Sequence, residues 1–266
     1  MPVDDPLDPV RLRRDLLEPG ALWRRLDVVP ETGSTNADLA VRARTGERTG
    51  AVLLTDHQTA GRGRLGRTWT APAGSSIAMS LLVQPDGVPA ARWTWLPLLA
   101  GLAVCEALRR GAEAHAVLKW PNDVLVDGRK ICCILAERLE TPTGPACVIG
   151  MGLNVHLTED QLPVPTATSL AVLNPSRVMG RNPLVVTILR AFAAIYSQWE
   201  TSDDDTAFAV SYVRRCDTIG RPVRVSLAGG RVVEGTAEAI DRDGRLVVRT
   251  DAGMQTFGAG DVVHLR

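Results

Sequence analysis

The chain has 266 residues, is 45% hydrophobic and 23% charged, and balances 30 basic residues against 30 acidic ones. That length and balance fit a soluble globular protein of one large domain with a small appended one. A neutral chain is a poor match for a protein held on nucleic acid by phosphate contacts, which normally carries a basic face or stripe.

No run of about 18 apolar residues occurs, and the first stretch, MPVDDPLDPVRLRRDLLEPG, is charged where a signal peptide is apolar. The expected location is therefore the cytoplasm, with no membrane contact. Five cysteines, an odd number, form no disulfide framework, and neither CxxC nor HExxH marks a metal site. Adjacent Cys132 and Cys133 read as ordinary core residues.

In chain order, DPVRLRRDLL predicts a short helical arm. LDVVPETGSTNADLAVRART predicts a strand, a loop and a helix opening at Ser34 or Thr35, with Asp38 placed as in a capping box. AVLLTDHQ and SSIAMSLLVQP read as apolar strands on either side of an arginine-rich loop. WTWLPLLAGLAVCEALRR reads as a helix apolar around most of its circumference, and so largely buried. AVLKWPNDVLV and KICCILAERLE flank Asp127-Gly128, a dipeptide suited to a tight hairpin, and ACVIGMGLNVHL follows as a third strand of a meander. Pairing of those strands would put Lys119, Lys130 and Asn154 on neighbouring strands. NPLVVTILRAFAAIYSQWE and TAFAVSYVRRC read as helices. From about Ile219, RPVRVSL, VVEGTAEAI, RLVVRT and MQTFGA alternate at period two around Ala228-Gly229-Gly230 and Asp243-Gly244, the pattern of a small β-barrel.

Two local features carry chemistry. Residues 61–67 read GRGRLGR: glycines expose backbone N–H groups, and the forks of Arg62, Arg64 and Arg67 can bind phosphate with paired hydrogen bonds. A phosphate clamp outweighs an RNA contact or a solvated loop, yet neither a Walker A loop nor a GxGxxG opening a helix is present. The second feature is lysine. Of 30 basic residues 28 are arginine, and the only two lysines, Lys119 and Lys130, share the stretch LKWPNDVLVDGRKICCILAE. A compact ammonium there is not replaceable by a planar fork. In KWPND, Pro121 interrupts the strand so polar side chains can turn inward, Asp123 suits a Mg²⁺ that accompanies phosphates, and Lys119 supplies a point charge. Lys130 can stabilise charge developing on a phosphorus or carboxyl oxygen.

Together GSTN at 33–36, QTAGRGRLGR at 58–67, KWPND at 119–123, GRKICCIL at 128–135 and GMGLNV at 150–155 resemble, in order and spacing, the catalytic domain of biotin protein ligases, and the late β-barrel resembles that family's C-terminal domain. The resemblance implies an α+β fold, a mixed, largely antiparallel sheet with packed helices plus a small C-terminal SH3-like β-barrel. It implies an arm at 1–24, a catalytic domain at 25–216 and a barrel at 217–266. It also implies a two-step reaction: biotin and ATP give biotinyl-5′-AMP and pyrophosphate, then the acyl group passes to one lysine of a biotin carboxyl carrier domain, that of an acyl-CoA carboxylase or pyruvate carboxylase.

Carried over by the resemblance, Ser34, Thr35, Asn36, Gln58, Gly61, Arg62, Gly63 and Gly150 would hold biotin, with Arg64, Lys130 and Cys133 against it. Arg64, Arg67, Lys119, Asn122, Asp123, Lys130, Gly152 and Asn154 would hold ATP, Asp123 its Mg²⁺, and Lys130 and Arg64 would be catalytic. The glycine–arginine loop would close over the adenylate as a lid, mobile before ligand arrives. Cys133 departs from the family, which has glycine three residues after the catalytic lysine, and a side chain there would narrow the biotin site. About 25 residues precede the pattern, too few for the winged helix of bifunctional relatives, so a ligase that binds no DNA is expected, as a monomer or weak homodimer. A lipoate or octanoate ligase of the same fold is the nearest rival, and an RNA-binding protein using the arginine loop is the rival from another class.

Overall fold

The computed structural model describes residues 5–176 and 178–265. The arm folds as α1 (Pro9–Leu16), capped by Asp8, whose Oδ1 accepts from the N–H groups of Val10 and Arg11 at 2.9 and 3.0 Å. Proline at its first position costs no hydrogen bond, because that N–H has no intrahelical partner. Leu12 and Leu16 face inward.

The chain then runs through β1 (Arg25–Thr32), α2 (Thr35–Arg44) and β2 (Ala51–Gln58), and the helix is the crossover that lets β1 and β2 pair in parallel. Ser34 is the N-cap, accepting from the N–H of Ala37 at 3.4 Å. The expected capping box with Asp38 does not form: with the cap at Ser34 the reciprocal position is Ala37, and the Asp38 carboxylate accepts from the Thr32 hydroxyl instead.

β3 (Ser76–Val83) is buried along its whole length, and α3 (Trp95–Gly111) buries twelve of its residues, as its all-round apolar pattern predicts. β4 (Val117–Lys119), β5 (Asp123–Val126), β6 (Arg129–Thr141) and β7 (Gly144–Asn154) complete a seven-stranded sheet in the order β1-β2-β3-β7-β6-β5-β4, antiparallel everywhere except β1–β2. Asp127 (φ 50°) and Gly128 (φ 73°) make the tight β5–β6 turn. Lys130 on β6 and Asn154 on β7 do lie on neighbouring strands. Lys119 does not join them, because β5 intervenes between β4 and β6.

The pleat divides the sheet chemically. Met79, Leu81, Ile149, Met151, Cys132 and Ile134 point towards α3 and α5 (Arg181–Glu200), where Trp23, Phe192 and Tyr196 stack in series and Trp199 packs tilted against Tyr196. On the opposite face Leu53, Leu82, Val148 and Leu139 cover α2 through Leu39, Ala40 and Ala43. Burying each leucine contributes about 1.5–3 kcal/mol. Further along that same face the apolar residues give way to Ser80, Gly150 and Gly152, leaving room at the N-terminus of α2.

After α4 (Leu170–Leu173), α5 and α6 (Thr206–Val213) come β8 (Pro222–Ser226), β9 (Val232–Ile240), β10 (Leu246–Thr250), β11 (Gly253–Phe257) and β12 (Asp261–His264), an antiparallel SH3-like set in the order β11-β10-β9-β8-β12. β12 is absent from the sequence reading, being only four residues long. The indoles of Trp95 and Trp120 donate to the carbonyls of Arg242 and Gly244 at 2.8 and 3.1 Å, fixing the β9–β10 turn against α3. Among the described residues, no helix is long and apolar enough to cross a membrane.

Candidate active site

The room beside α2 is a narrow cavity lined by Ser34, Thr35, Asn36, Gln58, Arg62, Trp69, Cys133, Leu135, Gly150 and Gly152 among others. Ser34, Thr35 and Asn36 enter it because they form the first turn of α2, and all three are buried. Gln58, the last residue of β2, accepts through Oε1 from the backbone N–H of Thr35 at 2.9 Å. That bond leaves the Gln58 amide nitrogen as a donor.

Three glycines are required by close approach. A Cβ on Gly150 would lie 2.3 Å from Asn36 Oδ1, one on Gly152 would lie 2.6 Å from the Trp69 ring, and one on Gly61 would lie 2.3 Å from the Trp69 carbonyl oxygen. Trp69 therefore lies flat against the β7 backbone as one wall of the cavity. Sequence reasoning missed it; the signal available was an indole two residues beyond the arginine loop.

The GRGRLGR segment folds as a narrow hairpin. Arg62 bridges Thr68, the N–H of Gly63 donates to the Arg67 carbonyl at 2.7 Å, and Leu65 (φ 55°) and Gly66 (φ 73°) make the turn. Its arginines are anchored on different elements. Arg62 donates to Glu137 Oε2 on β6 at 3.3 Å. Arg64 donates to the Gly260 carbonyl at 2.8 Å and to Asn122 Oδ1 at 3.4 Å. Arg67 pairs with Asp261 at 2.7 Å. Burial pulls the Arg64 pKa down, whereas the hydrogen bond from Arg67 to Asp261 pushes that of Arg67 up.

The KWPND segment comes back to the same place. Lys130 Nζ lies 2.6 Å from Asp123 Oδ1, and Asn122 Nδ2 donates to the Ile134 carbonyl at 3.0 Å and lies 3.7 Å from Cys133 Sγ. Burial lowers the Lys130 pKa, but Cys133 and Asp123 outweigh it and the net shift is upward. Burial pushes the Cys133 thiol up as well. Cys133 joins the two halves of the site, lining the cavity while its sulfur touches Lys130 and Asn122.

Two predicted residues lie off this centre. Lys119, on edge strand β4, acts on His264 of β12, whose pKa falls through burial first and the Lys119 charge second. Asn154 donates to the Thr168 carbonyl at 2.9 Å, tying down a segment that also bonds Lys130 through Thr166 and Thr168. That segment, bridged at Lys130 and Ala167, carries no sequence motif. Among the described residues no cluster of three or more His, Cys, Asp or Glu side chains could hold a metal.

The cavity with its polar lining lies beside an ammonium–carboxylate pair and under an arginine hairpin, a set of groups suited to a small acid and an anionic co-substrate. Comparison with known proteins gives the family. Residues 29–154 match the Biotin/lipoate A/B protein ligase family and residues 218–265 the Biotin protein ligase C terminal domain. The chain is 44% identical over 265 residues to the biotin–[acetyl-CoA-carboxylase] ligase of Mycobacterium tuberculosis, covering 98% of this chain and 97% of that one. It is 30% identical to the bifunctional ligase/repressor BirA of Escherichia coli, covering 88% of this chain and 72% of that one. The biotin protein ligase from Aquifex aeolicus in complex with biotin and ATP superposes with a TM-score of 0.75 at 26% identity, covering 92% of this chain and all of that one. The chain belongs to the biotin protein ligase family.

Proposed function

We propose that this protein activates biotin with ATP and transfers it to a lysine of the acetyl-CoA carboxylase carrier protein. The observation that carries the reading is Cys133, at which the ring cavity and the Lys130–Asp123 pair meet. An acid held by its ring in the cavity has its carboxyl end directed at the ammonium.

In the first step a biotin carboxylate oxygen bonds to the α-phosphorus of ATP while the bond to pyrophosphate breaks, giving biotinyl-5′-AMP. Lys130 stabilises charge on the carboxylate and α-phosphate oxygens, where a preorganised ammonium is effective because it need not reorient. Arg64 and Arg67 face the phosphates, and Asn122 and Asp123 hold Arg64 and Lys130 in place. A lone carboxylate such as Asp123 fits a Mg²⁺ that keeps waters and substrate phosphates as its other ligands, and such an ion would neutralise phosphate charge. In the second step the carrier lysine amine attacks the acyl carbon and AMP leaves. Trp69 and the arginine hairpin cover the anhydride and exclude water.

Lys119 acts on His264 of the barrel, and its role in ATP binding is electrostatic at longer range. Dependence on ATP supports the cytoplasm as the site of the reaction, and a pyruvate carboxylase carrier domain would be a second acceptor of the same chemistry. The lipoate ligase alternative fits less well, since an acyl chain has no use for the hydrogen-bonding side chains of Ser34, Thr35, Asn36 and Gln58. The test is incubation with biotin, MgATP and a purified carrier domain. A carrier mass gain of one biotinyl group at a single lysine is expected, and gain from octanoate or lipoate in its place would overturn the reading.

A further inference from the structure

We propose that Glu137 is a positioning residue that sets the hydrogen-bonding polarity of the ring cavity. The proposal rests on the biotin reading above and adds to it a group that reaches the ligand only through other side chains.

Asn36 Nδ2 donates to Glu137 Oε2 at 2.7 Å and to the Leu135 carbonyl at 3.2 Å. Both partners are acceptors, so a turned amide would set oxygen against oxygen, and the carboxylate makes that orientation the costlier. Asn36 Oδ1 is thereby fixed towards Ser80 Oγ at 2.6 Å. An amide oxygen only accepts, so the Ser80 proton goes to it. The Ser80 oxygen then has lone pairs free for the Thr35 hydroxyl, 2.7 Å away, and Thr35 Oγ1 also lies 3.1 Å from Gln58 Oε1.

Whichever of these two accepts the Thr35 proton, Thr35 has none left for a ligand and presents lone pairs to it. Gln58, its oxygen committed to the Thr35 N–H, presents N–H. An acceptor beside a donor matches a cyclic urea, whose N–H and C=O are adjacent, and the order of protons along the chain starts at Glu137. The same Oε2 accepts from Arg62 at 3.3 Å, so a single carboxylate links the floor of the cavity to the hairpin that covers it. Ser80 and Glu137 lie on the same sheet face, on β3 and β6, which is why this line of contacts crosses the cavity floor.

The test is Glu137→Gln, which keeps size and shape but can turn an NH₂ towards Asn36. Steady-state ATP–pyrophosphate exchange is measured for the unaltered protein and the variant, varying biotin and ATP separately, alongside melting temperature. The expected result is a KM for biotin raised about tenfold or more, with kcat and the KM for ATP within about threefold and a cooperative melt lowered by only a few degrees, since the charge-assisted bond lies beside the ring and away from the ATP groups. Glu137→Ala, removing the acceptor outright, should raise the KM for biotin further. An unchanged KM for biotin in both variants, or equal rises for biotin and ATP, overturns the proposal. Absence of biotin-dependent exchange in the unaltered protein overturns instead the biotin reading on which it rests.

Discussion

Arg67 of the arginine hairpin and Asp261, the first residue of β12, form an ion pair at 2.7 Å across the boundary between the two sheets. Beside it Arg64 donates to the Gly260 carbonyl at 2.8 Å. The small barrel is thus the support on which the hairpin lies. The Asp261 carboxylate offsets the repulsion between two of the three hairpin arginines, which it brings to adjacent anchor points.

Asp261→Ala should therefore act on substrate binding more than on folding. The pair is largely exposed, with side-chain exposures of 58% and 36%, so its stability contribution is under about 1 kcal/mol. The melting temperature should move by less than about 4 °C, while the KM for ATP rises about threefold or more as the hairpin is released. Kinetics indistinguishable from the unaltered protein would remove the barrel from the account of the site.

Lys130→Arg keeps the charge but puts a planar fork where the 2.6 Å contact to Asp123 needs a compact ammonium. Adenylation should fall by about a hundredfold or more while folding is retained. Because the Lys130 pKa is raised above 10.5, the ammonium stays charged through the assay range. The exchange rate should show no Lys130-dependent fall between about pH 7 and about pH 10.

Gly150→Ala places a methyl 2.3 Å from Asn36 Oδ1. The amide must move, and with it the bonds to Ser80 and Glu137. The KM for biotin should rise about tenfold with the KM for ATP little changed, read from exchange kinetics. A fully active alanine variant would mean that the cavity floor tolerates displacement of Asn36.

All five thiols titrate above their ordinary value of 9.0 in the folded state, Cys105 and Cys147 being pushed up to about 12 by burial. Folded pKa values above unfolded ones mean that the unfolded chain releases protons first as pH rises. Stability is then complete below pH 9 and falls above it, by at most about 1.4 kcal/mol per thiol for each pH unit between its two values. Denaturant midpoints measured from neutral to alkaline pH should decline from about pH 9 upward. A flat profile would show that the thiols ionise freely in the folded protein.

What could be read from the sequence was whatever local chemistry dictates. Asp127-Gly128 predicts its own turn, the all-round apolar pattern predicts α3, and the glycines beside the arginines predict a close-approach loop. The capping box failed because Asp38 sits one residue too late for a cap at Ser34. The contacts that organise the site were not legible, since they join residues remote in sequence: Arg64 meets Gly260 196 positions away, and Asn36 meets Glu137 101 positions away. Nothing local marks Ser80 or Glu137, whose partners are chosen by the β3–β7–β6 register. The four-residue β12 is defined as a strand only by pairing with β8.

The most direct measurement is ATP–pyrophosphate exchange by the purified protein with biotin, octanoate, lipoate or no acid. The account predicts exchange with biotin alone, because the donor and acceptor groups of Thr35 and Gln58 select a polar ring. Exchange with octanoate or lipoate and none with biotin would contradict it.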